Sequence, residues 1–148
     1  MTALNCPPIL FLIFNRPHLT QRVFEKIKNV KPEYLFIAAD GPRPNISEDL
    51  DLTFQARQII EQIDWPCDVK TLFHKKNLGC KNAVITAIDW FFDHIEAGII
   101  LEDDCLPHQN FFPFCAELLE RYYNNEQIFV ISGNNFKEGL LQKENQFK

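Results

Sequence analysis

Residues 99–105 read Ile-Ile-Leu-Glu-Asp-Asp-Cys, an apolar run that ends in three consecutive carboxylates. The apolar part predicts a buried β-strand, and carboxylates are costly to bury unless they are paired or bind a metal ion. In open α/β sheets, ligands bind just outside the carboxyl ends of the strands. Carboxylate oxygens there suit Mg²⁺ or Mn²⁺, and these ions suit phosphates. The stretch therefore predicts a strand end that builds a metal–diphosphate site.

Apolar strands alternate with helical patterns along the chain. Strands are predicted at Ile9–Phe14, Tyr34–Ala39, Asp68–Phe73, Gly98–Leu101 and Ile128–Ser132. Helices are predicted at Leu19–Val30, from about Asn45 to Asp64 with Ser47 as the N-cap, at Asn82–His94 and at Asn110–Tyr123. This alternation predicts an α/β fold, with a Rossmann-like parallel sheet and helices on both faces. We expect one domain over residues 1–136 and a polar tail over residues 137–148.

The composition limits the classes of partner. A length of 148 residues suffices for one domain with a core, and the net charge of −5 argues against nucleic-acid binding. The five cysteines include no CxxC pair, so neither a zinc site nor a disulfide framework is expected. The apolar run from Pro7 to Phe14 lacks a preceding basic region and is too short to span a bilayer. A cytoplasmic location is the resulting expectation.

Polar residues follow several of the predicted strands. Arg16 follows the first strand, where its forked cation can bind a nucleotide phosphate or base. Asp40 follows the second strand and can accept hydrogen bonds from a base or ribose, although an Asp before Gly is also a common turn former. Lys81 lies near a predicted helix start, where anions are favoured, although an ordinary loop explains it too. The four scattered histidines are expected to be structural or exposed rather than ligands, and His74 is the least unlikely site member because it ends a predicted strand.

The three carboxylates are predicted to divide their roles. If the strand stays extended, Glu102 and Asp104 share one side and Asp103 faces the other, so one metal ion does not bind all three. We therefore expect Asp104 on the metal, with Glu102 and Asp103 on sugar hydroxyls or metal-bound water. The alternative interpretation is a solvated acidic loop.

Four segments together resemble a known family: the first strand followed by Asn-Arg-Pro, Ala-Ala-Asp-Gly-Pro-Arg at 38–43, Asn-Leu-Gly-Cys-Lys-Asn-Ala at 77–83, and the run from Leu101 to Phe112. They are similar to GT-A type glycosyltransferases, in the group related to the N-acetylglucosaminyltransferase I family. The most specific element is the Glu-Asp-Asp triplet followed by the pair Phe111-Phe112. The resemblance covers about residues 8–136.

This resemblance implies a nucleotide-diphosphosugar donor, a UDP-sugar in the first place, and Mn²⁺ or Mg²⁺ as cofactor. It implies that Asp104 ligates the metal, that Glu102 and Asp103 lie near the sugar and ribose, that Asp40 contacts the base, and that Arg16 lies at the nucleotide, with Lys81 as a further donor-binding candidate. The reaction would be glycosyl transfer to an acceptor hydroxyl on a glycan or a lipid-linked molecule.

Family members usually carry a second half, with the acceptor site and, in inverting enzymes, a carboxylate base, whereas this sequence stops soon after Ser132-Gly133-Asn134. We therefore expect an apparently truncated donor half whose catalytic base is unknown. Its uncovered sheet edge and apolar surface predict self-association. Two alternatives stay open, a non-catalytic nucleotide-sugar-binding module and an enzyme of metal-dependent phosphoryl or nucleotidyl transfer.

Overall fold

The computed structural model describes residues 6–133 of the protein, in which strands and helices alternate. In chain order the elements are β1 (Ile9–Ile13), α1 (Pro17–Val30), β2 (Tyr34–Ala39), α2 (Ser47–Arg57), β3 (Asp68–Phe73), α3 (Cys80–Phe92), β4 (Ile99–Glu102) and α4 (Phe111–Tyr122). A 3₁₀ helix at Gln58–Gln62 continues α2. The α/β class predicted from the sequence is confirmed.

The strands form one all-parallel sheet in the order β3-β2-β1-β4. In its register, Ile13 lies beside Ala39 on β2, Leu12 lies beside Glu102 on β4, and Ala39 lies beside Phe73 on β3. All four strands therefore end at the same edge. The residues that follow them, which carry most of the predicted site, are brought together there.

Two apolar layers cover the sheet, since neighbouring strand residues face opposite sides. On one side Phe11, Ile37 and Leu101 belong to a cluster with Phe24 of α1 and Phe112 of α4. The other side is packed by α3, whose buried Ala87 and Phe91 form a cluster with three sheet residues, Leu10, Phe36 and Ala38. Helices on both faces of the sheet are thus confirmed, with α3 on the opposite side from α1 and α4.

The predicted fifth strand is wrong. Residues 128–132 form no strand, and Phe129 and Val130 are 102% and 81% exposed. Strand-forming side chains favour a strand chiefly through packing against neighbouring strands, and this segment has no such neighbour among the described residues. Within residues 6–133 the sheet therefore ends at β4.

The predicted start and end of the second helix also need correction. Ile46 occupies the N-cap position, Ser47 is already helical, and no side chain caps the helix. The acidic first turn, Glu48 and Asp49, supplies the negative charge that favours a helix N-terminus. The regular helix ends at Arg57, well before Asp64, because the chain tightens into the 3₁₀ helix.

Two further predictions concern the end of the domain and the absence of a membrane-spanning segment. The boundary between the domain and the polar tail, at residues 136 and 137, lies outside the described residues. Within residues 6–133 no helix combines the length and apolarity needed to cross a bilayer.

Candidate functional site

A cleft of about 290 Å³ opens where the strands end, between their carboxyl ends and the first turns of α3. Its walls are apolar where Leu12, Ala38 and the α3 residues Ala83, Val84 and Ala87 face it. Its polar lining residues are Arg16, Asp40, Arg43, His74, Asn77, Glu102 and Asp103. A mostly apolar cavity with a few converging polar groups is typical of a small-molecule site.

Arg16 joins the two aspartates that follow β4. Its Nη2 donates to Asp103 Oδ1 in a very short contact, and its Nη1 donates to Asp104 Oδ2 at 2.8 Å. Asp103 is buried, and its second oxygen accepts hydrogen bonds from the Phe14 amide at 3.3 Å and from the Thr20 hydroxyl at 3.4 Å. The side chain of Asp104 is 44% exposed. One carboxylate thus holds Arg16 from inside the protein, while the other faces solvent.

Burial separates the acidities of these two carboxyls. Loss of hydration raises the pKa of Asp103, and the positive charge of Arg16 offsets this only in part. The hydrogen bond from Arg16 lowers the pKa of Asp104 instead. The solvent-facing carboxylate is therefore the one that stays ionised most easily.

The carboxylate of Asp40 is fully engaged by its own surroundings. Oδ1 accepts from the amides of Gly41 and Leu78, both at 2.8 Å. Oδ2 accepts from Asn77 Nδ2 at 2.9 Å and from the Gly79 amide at 3.0 Å. Four donors match the lone-pair capacity of a carboxylate. Asp40 therefore acts here as the anchor of the loop 77–79, which leads into α3.

Asp49, a buried residue of α2, holds Arg43 at the mouth of the cleft. Its carboxylate accepts from Arg43 Nε at 2.6 Å, from Arg43 Nη2 at 2.9 Å and from the Arg43 amide at 3.1 Å. Asn15 Nδ2 donates to the same carboxylate at 2.7 Å, and the guanidinium lies 5.6 Å from the Phe14 ring centroid. The Arg43 hydrogen bonds hold the pKa of Asp49 well below its usual range. The segments after β1 and β2 are thereby tied together.

His74 and Glu102 contribute free polar groups to the cleft. His74 Nε2 is buried and has no hydrogen-bond partner among the described residues. A buried orphan of this kind is commonly satisfied by a ligand or an ordered water. Among the described residues, Glu102 is the one carboxylate lining the cleft that accepts no hydrogen bond. The exposed Glu102 can therefore bind a ligand without first breaking an internal contact, whereas a ligand reaches the buried His74 Nε2 only if the groups around it move.

The side chains at the cleft supply few ligands for a divalent metal ion. Within residues 6–133 there is no group of three or more Asp, Glu, His or Cys side chains that could hold a metal ion by itself. Asp104 presents an exposed carboxylate with a lowered pKa beside the cleft, and Glu102 presents a second exposed carboxylate in the cleft lining. Mg²⁺ is often bound through one or two carboxylates, with substrate phosphates and water filling the other positions. The residues present fit that kind of shared coordination, with Asp104 as the protein ligand.

The predicted site residues separate into two groups. Arg16, Asp40, Glu102 and Asp103 line the cleft, and Asp104 contacts Arg16 beside it. Lys81 is exposed on α3 and is not among the lining residues. Asp49 was not predicted as a site residue, because an acidic side chain in the first turn of a helix looks like an ordinary surface residue. Its contact with Arg43 depends on how α2 packs.

Comparison of the chain with protein-family models, curated proteins and solved structures gave no match.

Proposed function

We propose that this protein binds a nucleotide-diphosphosugar, in the first place a UDP-sugar, through a divalent metal, as the donor half of a GT-A type glycosyltransferase. The observation that carries the proposal is the Arg16 bridge between Asp103 and Asp104 at the mouth of an apolar cleft. It puts an always-charged guanidinium and a solvent-facing carboxylate side by side, the pair of groups that a metal-bound diphosphate needs.

The charge of the cleft supports a need for metal. The charged side chains that line the cleft or form an ion pair with a lining residue are two arginines and five carboxylates, a formal net charge of −3: Arg16, Arg43, Asp40, Asp49, Glu102, Asp103 and Asp104. Both arginines are already paired with aspartates. A diphosphate would therefore meet a negative surface, and a divalent cation at Asp104 reverses the sign of that interaction.

The protein residues would have distinct tasks in this complex. Asp103 holds Arg16 towards the diphosphate, and Glu102 is free to accept hydrogen bonds from sugar hydroxyls. The His74 side chain and the apolar wall of Ala83, Val84 and Ala87, which line the cleft, can receive a planar base. The predicted contact of Asp40 with the base becomes indirect, through the loop 77–79 that it anchors. A bound Mn²⁺ or Mg²⁺ would stabilise the charge on the departing diphosphate during transfer to the acceptor hydroxyl.

A binding module without turnover is the second candidate. Asp40 and Asp103 line the cleft but already accept four and three internal hydrogen bonds, which leaves Glu102 as the one lining carboxylate without such a bond in the described part of the chain. Phosphoryl or nucleotidyl transfer is the third candidate and predicts cleavage of the diphosphate in the absence of any acceptor.

Binding and turnover can be measured separately. We expect UDP to bind only when Mn²⁺ or Mg²⁺ is present, and D104A to abolish that dependence while the fold is retained. Release of UDP from UDP-sugars with hydroxyl acceptors then distinguishes the transferase from the binding module. Release of UMP without an acceptor identifies the third candidate. Metal-independent UDP binding by both proteins would contradict the proposed role of Asp104.

Self-association remains a separate proposal. It is supported by the apolar side chains exposed on the described surface, among them Phe114, Phe129 and Val130. Sedimentation velocity over a wide concentration range tests it, since a monomer at every concentration contradicts it.

A further inference from the structure

Arg57, at the end of α2, has an unusual set of partners. A single nitrogen, Nη2, donates to the carbonyl oxygens of both Asp40 and His74, each at 2.8 Å. The guanidinium carbon lies 5.0 Å from the centroid of the Phe73 ring. Arg57 forms no salt bridge among the described residues, and its Nε is buried without a hydrogen-bond partner. This cation is therefore held by backbone oxygens and an aromatic face rather than by a carboxylate.

The two carbonyls mark the end of the β2–β3 pairing. The last paired residues are Ala39 and Phe73, and one more backbone bond, from the His74 amide to the Ala39 carbonyl at 3.0 Å, follows them. Beyond that point the two segments that follow β2 and β3 are not held together by strand pairing. Arg57 continues the connection with a side chain that bonds both carbonyls at once, and a charged donor forms stronger hydrogen bonds than a neutral one.

The two residues that Arg57 holds both face the cleft. Asp40 anchors the loop 77–79 through its carboxylate, and His74 presents its unpartnered Nε2. A shift of either backbone would move the loop or the imidazole. We propose that Arg57 is a positioning residue, which fixes the ends of β2 and β3 so that the loop 77–79 and His74 keep a ligand-binding geometry. For the ligand itself, this inference rests on the proposed function.

The test compares R57M, R57K and R57A with the control R22M. Met removes the charge and both hydrogen bonds at similar length, whereas Lys keeps a donor. Arg22 is an exposed arginine of α1 that has no hydrogen bond or ion pair with any residue in 6–133, so R22M removes the same type of side chain without removing such a contact. Two readouts are recorded at a temperature where all variants are folded: hydrogen exchange of the Leu78 and Gly79 amides without ligand, and the affinity for UDP with Mn²⁺.

We expect R57M to exchange both amides faster than wild type and to bind UDP at least about tenfold more weakly, about 1.4 kcal/mol. R57K should show part of the wild-type amide protection and UDP affinity. Millimolar methylguanidine should partly restore both in R57A, and a loss of general stability would not explain such a rescue. R22M should match wild type. Wild-type exchange rates in R57M, or no rescue in either R57K or R57A, would overturn the inference. If wild-type protein does not bind UDP, the proposed function fails, and the amide exchange alone then decides the role of Arg57.

Discussion

Replacing Gly41 with alanine should damage the site through the loop that Asp40 holds. A Cβ at Gly41 would lie 2.6 Å from the Lys76 carbonyl oxygen and 2.8 Å from the Asn77 amide nitrogen, and closer still to the Lys76 carbonyl carbon. These are backbone atoms, which cannot swing aside as the end of a side chain can. Optimal separation of non-bonded heavy atoms is about 3.5–4.0 Å, so the segment around residue 76 must retreat by about 1 Å.

Such a retreat would break the hydrogen bonds on which the loop depends. Leu78 and Gly79 donate to Asp40 at 2.8 and 3.0 Å, and a further 1 Å would take these contacts beyond hydrogen-bonding distance. Overpacking typically costs about 1–3 kcal/mol, and we expect the free energy of unfolding of G41A to fall by that amount. UDP affinity with Mn²⁺ should fall at least about tenfold, since the loop borders the cleft.

Urea denaturation and calorimetric titration measure the two quantities. The matched control is S47A at the first residue of α2, six residues after Gly41, whose side chain is exposed. A G41A protein with the stability and affinity of wild type would refute the reasoning from loop geometry.

Three further predictions concern the two aspartates after β4, the carboxylate of Asp49 and the start of α2. D103A should lower the free energy of unfolding by about 1–3 kcal/mol because it leaves buried donors unpaired, whereas D104A should cost about 1 kcal/mol or less because its ion pair is exposed; equal losses in urea denaturation would contradict this difference. The folded-state pKa of Asp49 is depressed, so the contribution of this carboxylate to stability is complete above about pH 4 and is lost as the pH falls towards the folded pKa. D49N should therefore be less stable than wild type at pH 7, and the difference in the free energy of unfolding should narrow below pH 4. A difference that does not change with pH would argue against an ionised Asp49. S47A should change stability by less than about 0.5 kcal/mol, the lower limit for loss of a true N-cap, and a larger loss in thermal denaturation would show that Ser47 does cap α2.

Hydrophobic patterning was sufficient to predict most of the sheet. The strands Tyr34–Ala39 and Asp68–Phe73 were predicted with the bounds that the structure has, because continuous apolar or alternating runs between turn residues are typical of parallel strands. Residues 128–132 are also largely apolar but form no strand. Composition reports how well side chains suit a packed sheet, and it does not supply the neighbouring strand.

The sequence predicted which strand ends carry the site residues, but not how those side chains contact one another. Arg16 and Asp103 were each predicted to contact the donor, and because parallel strands end at one edge the structure brings them together in an ion pair that was not predicted. The partners of a given carboxylate depend on side-chain geometry that no spacing encodes. Asp40 was predicted to contact the base, whereas its carboxylate binds the loop 77–79, and the hydrogen bonds from Arg43 to the buried Asp49 were not predicted. Arg57 was missed for the same reason, since its contacts are to backbone oxygens rather than to a recognisable motif.

The proposed function requires metal-dependent nucleotide binding in the cleft. The decisive measurement is calorimetric titration of UDP into the folded protein with and without Mn²⁺, with D104A titrated in parallel. We expect UDP to bind wild type only with the metal, and D104A to lose this binding. A folded wild-type protein that does not bind UDP under either condition would contradict the proposed function.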